Sequence, residues 1–190
     1  MTSVNVACIT PTRGDRPRLL EHCRWLMGEQ SYPGAHLVVE GDPGEGRYDL
    51  GDKIRLGLEM AEEAGAHLAL VIEDDDWYGP GYVEESVRHW LDAGQPALIG
   101  VGVTRTYHVG RSEMMAWGHQ GMSTLACMGF AVEGWRKRYW ADLEYYSGRL
   151  GCHRAQWSID AYLGLMEHVH DRVATYQYVG IKHGIGGVMT

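Results

Sequence analysis

The sequence predicts an α/β fold: a doubly wound, mostly parallel sheet with helices on both faces. Two observations favour this class. Short apolar runs alternate with amphipathic stretches along the first half of the chain, and each pair has the length of one strand–helix unit. A chain of 190 residues is also long enough for one well-buried core and short for two. Ligands of such sheets bind beyond the carboxyl ends of the strands, so a site is expected in the loops there.

The predicted elements alternate regularly through the first half of the chain. A first strand, 4–10, ends in the turn-prone segment 11–14, and Asp15 can cap the helix that follows. Further strands are predicted at 36–40 and 67–72, and further helices from Asp52 to near Gly65 and over 82–93. The second half is less regular, with strands predicted at 97–103, 125–132 and 173–181 and helices at 135–146 and 157–168.

Charge and composition exclude several classes of function. The formal net charge of −8 argues against indiscriminate binding to nucleic acid or anionic membranes. No secretory signal is visible, no apolar stretch has the length of a membrane span, and the four cysteines show no zinc-type spacing. We therefore expect a reduced, cytoplasmic protein that does not engage a membrane.

The strongest local signal is the acidic run Glu-Asp-Asp-Asp at 73–76, directly after the predicted strand 67–72. Four neighbouring carboxylates repel one another unless a cation compensates them. Hard divalent cations take carboxylate oxygens and often complete their shell with substrate phosphates. The alternative is a solvated acidic turn. Because the run leaves a buried strand in a loop where a site is expected, we favour a site for Mn²⁺ or Mg²⁺.

Several segments, in order, resemble the family 2 glycosyltransferases of the GT-A fold. The similarity covers about the first 90 residues and lies in Ile-Thr-Pro-Thr-Arg at 9–13, Pro-Arg-Leu-Leu at 17–20, Gln-Ser-Tyr-Pro at 30–33, Gly-Asp-Lys-Ile-Arg-Leu-Gly at 51–57 and the DxD-type stretch 73–80. The resemblance implies one GT-A-like domain over 1–190. Its nucleotide-sugar and metal half would be 1–95 and its acceptor half 96–190.

The resemblance also implies roles for individual residues. The nucleotide-sugar donor, most simply a UDP-sugar, would be bound by Thr10, Pro11, Thr12, Arg13, Asp42, Lys53, Arg55, Asp74 and Asp75. The metal would be held by Asp74, Asp76 and His183. For Lys53 and Arg55 the alternative is an exposed helix face, and for His183 it is a tail without a role.

The acceptor half matches the family less closely. That family often places an acidic pair at the start of a late helix, and here Asp160 is the only carboxylate at the corresponding place, 156–160. Asp160 is our candidate catalytic base, with an ordinary capping or surface aspartate as the alternative. His168 and His170 are predicted to lie at a helix end.

A segment rich in cations and aromatic residues, 134–157, is the predicted acceptor site. It carries five arginine and lysine residues against two carboxylates, and aromatic side chains between cations can stack on bases or sugar rings. The predicted acceptor-binding residues are Trp135, Arg136, Lys137, Arg138 and Trp157. An anionic acceptor fits, for example DNA with a hydroxymethylated base. The alternative is an amphipathic helix that packs its aromatic side chains inward.

Three functions therefore remain open at the level of sequence. The leading one is a metal-dependent glycosyltransferase that moves a sugar from a nucleotide-sugar to an acceptor hydroxyl. A nucleotidyltransferase also uses a doubly wound sheet and an acidic metal site. A non-catalytic GT-A-like module that binds sugars or nucleic acid is the third.

Overall fold

The computed structural model describes residues 3–40, 50–101, 103–118, 125–139, 169–172 and 175–182, and these ranges hold three complete α-helices, ten strands and the start of a further helix at 135–139. The helices are α1 (Pro17–Gly28), α2 (Leu50–Glu63) and α3 (Tyr82–Asp92). The strands are β1 (Val6–Thr12), β2 (Ala35–Glu40), β3 (Leu68–Val71), β4 (Trp77–Tyr78), β5 (Leu98–Gly100), β6 (Val103–His108), β7 (Glu113–Gly118), β8 (Gly129–Ala131), β9 (Val169–Arg172) and β10 (Tyr178–Lys182). The predicted α/β class is confirmed.

The main sheet has the strand order β2-β1-β3-β8-β5-β9. Strands β2, β1 and β3 run parallel, with Ile9 of β1 opposite both Leu37 of β2 and Val71 of β3. Strand β8 is antiparallel to both of its neighbours, β3 and β5, while β5 and β9 are parallel. The sheet is therefore mixed but mostly parallel. The carboxyl ends of β1 and β3 meet at the same edge, which we call the carboxyl edge.

Both faces of the main sheet bury apolar side chains. On β1, Ala7 and Ile9 belong to the core cluster that includes Ile54 and Leu58 of α2. Val6 and Cys8, which alternate with them, belong to a second cluster that includes residues of α1 and α3. Because successive side chains of a strand point to opposite faces, the continuous apolar run 6–9 indicates a strand covered on both sides.

A second, smaller sheet has the order β4-β10-β6-β7, and most of it was not predicted. Strand β10 is antiparallel to β4 and parallel to β6, and β6 and β7 form a hairpin. Strand β4 has only two residues, and β6 (Val-Thr-Arg-Thr-Tyr-His) lacks the apolar pattern by which a strand is recognised. We refer to these four strands as the small sheet.

Several element boundaries differ from the prediction. Helix α1 begins at Pro17, with Arg16 at the cap position, and the carboxylate of Asp15 pairs instead with Arg13 at 3.2 Å. Proline is well tolerated at this first helical position because its missing N–H would have no partner there. His170 lies in strand β9 and not at a helix end. None of the helices in the described ranges has both the length and the apolar character needed to cross a bilayer.

Candidate functional site

The acidic run 73–76 lies at the carboxyl edge of the main sheet. It follows β3 immediately, and the Ile72 amide donates to the carbonyl oxygen of Ile9 at 2.9 Å. The segment 12–16 leaves the neighbouring strand β1 at the same edge. Adjacent parallel strands thus bring together two loops that are about 60 residues apart in sequence, as expected for a doubly wound sheet.

Asp74 faces the loop after β1 and is almost fully buried. Its carboxylate accepts a hydrogen bond from Oγ1 of Thr12 at 2.6 Å and one from the guanidinium of Arg16 at 2.6 Å. A buried carboxylate is costly unless it is paired and hydrogen-bonded, and here it is both. Asp74 is therefore fixed in position on the side of the site formed by β1.

Arg16 is the residue of this site that sequence reasoning missed. Its guanidinium bridges two carboxylates, reaching Asp74 at 2.6 Å and Asp75 at 2.5 Å. The available signal was weak: a basic side chain at a helix cap, in a loop expected to face the acidic run. Arg16 supplies positive charge that offsets the mutual repulsion within the run.

Asp76 faces the other way, towards the small sheet. It accepts hydrogen bonds from the hydroxyl of Tyr178 and the amide of Ile181, both at 2.7 Å. Burial raises the pKa of Asp76, and these two hydrogen bonds to the charged form oppose that rise. Asp76 thereby joins strand β10 to the acidic run.

The backbone of the run is held by a buried tyrosine. The Tyr78 hydroxyl accepts a hydrogen bond from the Glu73 amide at 2.9 Å and donates one to the carbonyl oxygen of Ala126 at 3.0 Å. The hydroxyl is thus used both as an acceptor and as a donor, which fixes its position between Glu73 and Ala126. This arrangement positions Glu73 at the start of the run.

Three of the four carboxylates come together in a way that suits a cation. Single oxygens of Glu73, Asp75 and Asp76 all lie within 4.8 Å of one another. Opposite ligands of an octahedral Mg²⁺ stand about 4.2 Å apart, so this spacing is close to what such an ion requires, and carboxylate oxygens are its preferred ligands. The donor set fits a hard divalent ion.

The grouping differs from the metal set implied by the resemblance. That set was Asp74, Asp76 and His183, whereas Asp74 and Asp76 have separate partners on opposite sides of the run. His183 lies outside the described residues. A metal role for any of these side chains stays a prediction.

The structure places most of the predicted nucleotide-sugar residues near the same edge. Thr10 and Pro11 are buried at the end of β1, where Oγ1 of Thr10 lies 2.9 Å from Nε2 of His36. Arg13 is exposed in the following loop. Asp42 falls outside the described residues. The end of β1 thus contributes mostly enclosed groups, and Arg13 is the exposed exception.

Helix α2 brings Lys53 and Arg55 towards this edge. Gly57 of α2 packs directly on Ile9, so close that an added Cβ would overlap the isoleucine side chain. The helix then continues to its end before β3 begins, and is therefore antiparallel to β1. Lys53, one turn before Gly57, accordingly lies towards the Thr12 end of β1. Lys53 is buried and Arg55 pairs with Asp52 at 3.4 Å, which does not match the alternative of an exposed helix face.

The cationic segment lies elsewhere. Strand β8 is antiparallel to β3, and just after β8 the Val132 amide donates to the carbonyl oxygen of His67, at the amino end of β3. Trp135 is fully buried in the core, and Arg136 binds Glu59 and Glu62 near the end of α2. The segment therefore begins at the edge opposite the acidic run.

This position does not match the acceptor site predicted at 134–157. Trp135 packs in the core at the edge away from the acidic run, and the charge of Arg136 is balanced by two glutamates. Lys137 and Arg138 are exposed at the same distant edge, where Arg138 donates to the carbonyl oxygen of Glu133 at 3.3 Å. Within the described part of this segment, Trp135 packs inward, as the alternative of an amphipathic helix predicts. Trp157 and Asp160 lie outside the described residues.

Comparison with known proteins identifies similar structures but no similar sequence. No family model matches the chain, and neither does any curated protein. The S. aureus TarS 1-349 structure in complex with UDP-GlcNAc matches with a TM-score of 0.61 at 10% identity over 96% of this chain. The complex of the same protein with UDP gives 0.60 at 10% identity over 94%, and a longer TarS structure gives 0.60 at 11% identity over 94%.

These matches establish the fold alone. This chain spans 60% of the length of the TarS 1-349 structures and 37% of the longer TarS chain. The chain therefore has a fold similar to that of the TarS structures. The similarity reaches across nearly the whole of this chain although the sequences have diverged almost completely.

Proposed function

We propose that this protein is a glycosyltransferase that moves a sugar from a UDP-sugar to an acceptor hydroxyl with the help of Mn²⁺ or Mg²⁺. One observation carries the proposal: at the carboxyl edge, Thr12 and Asp74 lie beside a group of three carboxylates that suits a divalent cation. The fold around this edge is similar to that of TarS, whose structures hold UDP-GlcNAc or UDP.

The donor would lie across the loops after β1 and β3. Thr12 and Asp74 would bind its sugar or ribose hydroxyls, together with Thr10, Pro11, Arg13 and Asp42 around the nucleotide. Lys53 and Arg55 lie in the first half of α2, the half nearest to this edge, and would pair with the diphosphate.

Glu73, Asp75 and Asp76 would hold the cation, with His183 and Asp74 as the further ligands that the family resemblance suggests. A bound cation would neutralise the charge that develops on the departing UDP. Arg16 would also help to neutralise this charge, from the other side of Asp75, because its guanidinium already lies between two carboxylates of the run.

The transfer itself needs a group that accepts a proton. The acceptor oxygen forms a bond to the anomeric carbon while the bond from that carbon to the diphosphate oxygen breaks, and the hydroxyl proton passes to a base. Asp160 remains our candidate for this base. A general base typically contributes about 10²–10⁴-fold, so Asp160→Asn should lower the turnover number by about that factor and leave UDP binding unchanged. A loss of less than about tenfold would point to another base.

A thermal-unfolding titration tests donor and metal together. UDP or UDP-GlcNAc should stabilise the protein when Mn²⁺ is present, by about 5–10 °C at a hundredfold excess over Kd. GDP serves as the control nucleotide. Stabilisation of equal size in excess EDTA would contradict a role for the cation in donor binding.

The products formed distinguish the alternatives. A glycosyltransferase releases UDP from UDP-GlcNAc, whereas a nucleotidyltransferase releases pyrophosphate from UTP and a sugar phosphate. A non-catalytic module would bind UDP-GlcNAc and release neither. The acidic run favours an enzyme over a binding module, because a buried group of like charges reduces stability when it has no cation to bind.

A further inference from the structure

Strand β6 has a buried face made entirely of polar side chains. Along the strand, Thr104, Thr106 and His108 are buried, and they alternate with the more exposed Val103, Arg105 and Tyr107. A strand that packs on a core normally buries apolar side chains on its inner face. Two threonines and a histidine in those positions indicate that this face borders something polar.

Strand β10 places this face beside the acidic run. In the register of β10 and β6, Gly180 lies opposite Thr106 and Lys182 opposite His108. The Tyr178 hydroxyl and Oγ1 of Thr106 lie 3.0 and 3.5 Å from the point that a side-chain carbon on Gly180 would occupy. The same Tyr178 hydroxyl donates to Asp76. A continuous line of polar groups therefore runs from Asp76 across β10 to β6.

The histidine at the end of this line has an unused polar atom. His108 is only 4% exposed, and its Nδ1 has no hydrogen-bond partner within the described part of the chain. A buried polar atom without a partner costs about 1–3 kcal/mol, and a bound group that supplied the missing partner would recover this free energy. His108 lies two residues along β6 from Thr106, on the same face.

We propose that this face of the small sheet is the acceptor subsite and that it takes a neutral polyhydroxylated acceptor, a saccharide or polyol. This inference rests on the proposed function. Hydroxyl groups can both donate to and accept from threonine, tyrosine and imidazole side chains. Among the described residues, the cation of this line is Lys182, opposite His108, and it faces the three grouped carboxylates of the run, so the local charge stays negative. A polyanion such as DNA is therefore disfavoured here by like-charge repulsion.

The test is steady-state kinetics of UDP release from UDP-GlcNAc and Mn²⁺, with glucose, N-acetylglucosamine and glycerol as neutral probes. A hydroxymethylated single-stranded oligonucleotide is the anionic probe. We expect a neutral probe to accelerate UDP release and the oligonucleotide to have no effect. His108→Leu should raise the KM of that neutral probe by about tenfold, the loss of one buried hydrogen bond, while the Kd of UDP stays unchanged.

Conservative variants separate binding from folding. His108→Asn keeps a hydrogen-bonding atom near the position of Nδ1, so the KM of the neutral acceptor should lie close to its wild-type value. Thr106→Val removes only a hydroxyl and should raise the same KM. Tyr107→Phe, on the other face of β6, is the matched control and should leave the KM at its wild-type value.

Each other outcome has a distinct meaning. If UDP with Mn²⁺ fails to stabilise the protein, the proposed function itself is wrong. If UDP binds but the oligonucleotide alone accelerates its release, or no probe does, the neutral-acceptor subsite is wrong and the donor site stands. If His108→Leu and Tyr107→Phe change the acceptor KM equally, His108 has no specific contact with the acceptor.

Discussion

Two arginines in this protein each bridge two carboxylates, and they lie at opposite edges of the main sheet. Arg16 joins Asp74 and Asp75 at the carboxyl edge, where the side chain of Asp74 is 1% exposed. Arg136 joins Glu59 and Glu62 at the other edge, where the side chain of Glu62 is 47% exposed and that of Arg136 is 48% exposed. The distances differ by only a few tenths of an ångström.

The comparison teaches that the surroundings of an ion pair, more than its geometry, decide what it does. Exposed pairs are screened by water and contribute little to stability, whereas a buried carboxylate depends on its partner. The bridge at Arg136 fastens β8 and the helix after it to α2. The bridge at Arg16 places a positive charge at the carboxyl edge, beside the carboxylates of the acidic run.

The largest effect should come from the residue that joins the acidic run to the small sheet. Asp76→Asn preserves the shape of the side chain and an oxygen that can accept from the Ile181 amide, so the fold should persist. A metal contributes several kcal/mol to the stabilisation of a transition state, so the rate of UDP release from UDP-GlcNAc should fall by about 100-fold or more. Measurement of released UDP checks this.

Asp15→Asn is the matched control for that variant, because Asp15 is an exposed carboxylate near the same edge. It should turn over UDP-GlcNAc at the wild-type rate. Near-normal activity of Asp76→Asn would mean that the run holds no cation needed for turnover and that the metal assignment fails.

The two bridging arginines can be compared directly. Arg16→Gln leaves the buried carboxylate of Asp74 without its cation, so the free energy of unfolding should fall by about 1–3 kcal/mol. Arg136→Gln should leave it nearly unchanged, because that pair is exposed. Urea denaturation of both variants beside the wild type measures the difference.

Mn²⁺ sharpens the same comparison. Without Arg16, the run carries one more uncompensated negative charge, so Arg16→Gln should bind Mn²⁺ more tightly than the wild type and regain part of its lost stability when the ion is added. Arg136→Gln should respond to Mn²⁺ as the wild type does. If the ion stabilised all three proteins equally, Arg16 and the cation would not share a site.

The sequence predicted the first half of the fold well because local pattern and tertiary structure agree there. The apolar run 6–9 indicates a buried strand, and the acidic run follows its own strand directly. The helix cap was misplaced by one residue, because Asp15, a good cap by type, pairs with Arg13 and the cap position is taken by Arg16.

The position of the cationic segment could not be predicted in the same way. Its distance from the site follows from the antiparallel direction of β8, which no local pattern reveals. Likewise Arg16 and His108 became visible only through their partners: one bridges carboxylates from another loop, and the other lies on the buried face of a strand without an apolar pattern.

The smallest effect should come from an ionisable group that is partly buried without a carboxylate partner. His36, beside Thr10, has its pKa lowered by burial first and by the nearby charge of Arg24 second. The unfolded chain, with a histidine pKa of about 6.5, therefore binds a proton at a higher pH than the folded protein does. Stability contributed by neutral His36 is present above about pH 6.5 and is lost as the pH falls below it.

His36→Asn should remove this part of the pH dependence, measured by urea denaturation between about pH 8 and about pH 5. Arg24→Gln should remove only the smaller, electrostatic part, because Arg24 is exposed. If His36→Asn keeps the full pH dependence of the wild type, the burial of His36 is not its cause. Burial of an ionisable group would then affect stability less at this edge than the contrast between Arg16 and Arg136 implies.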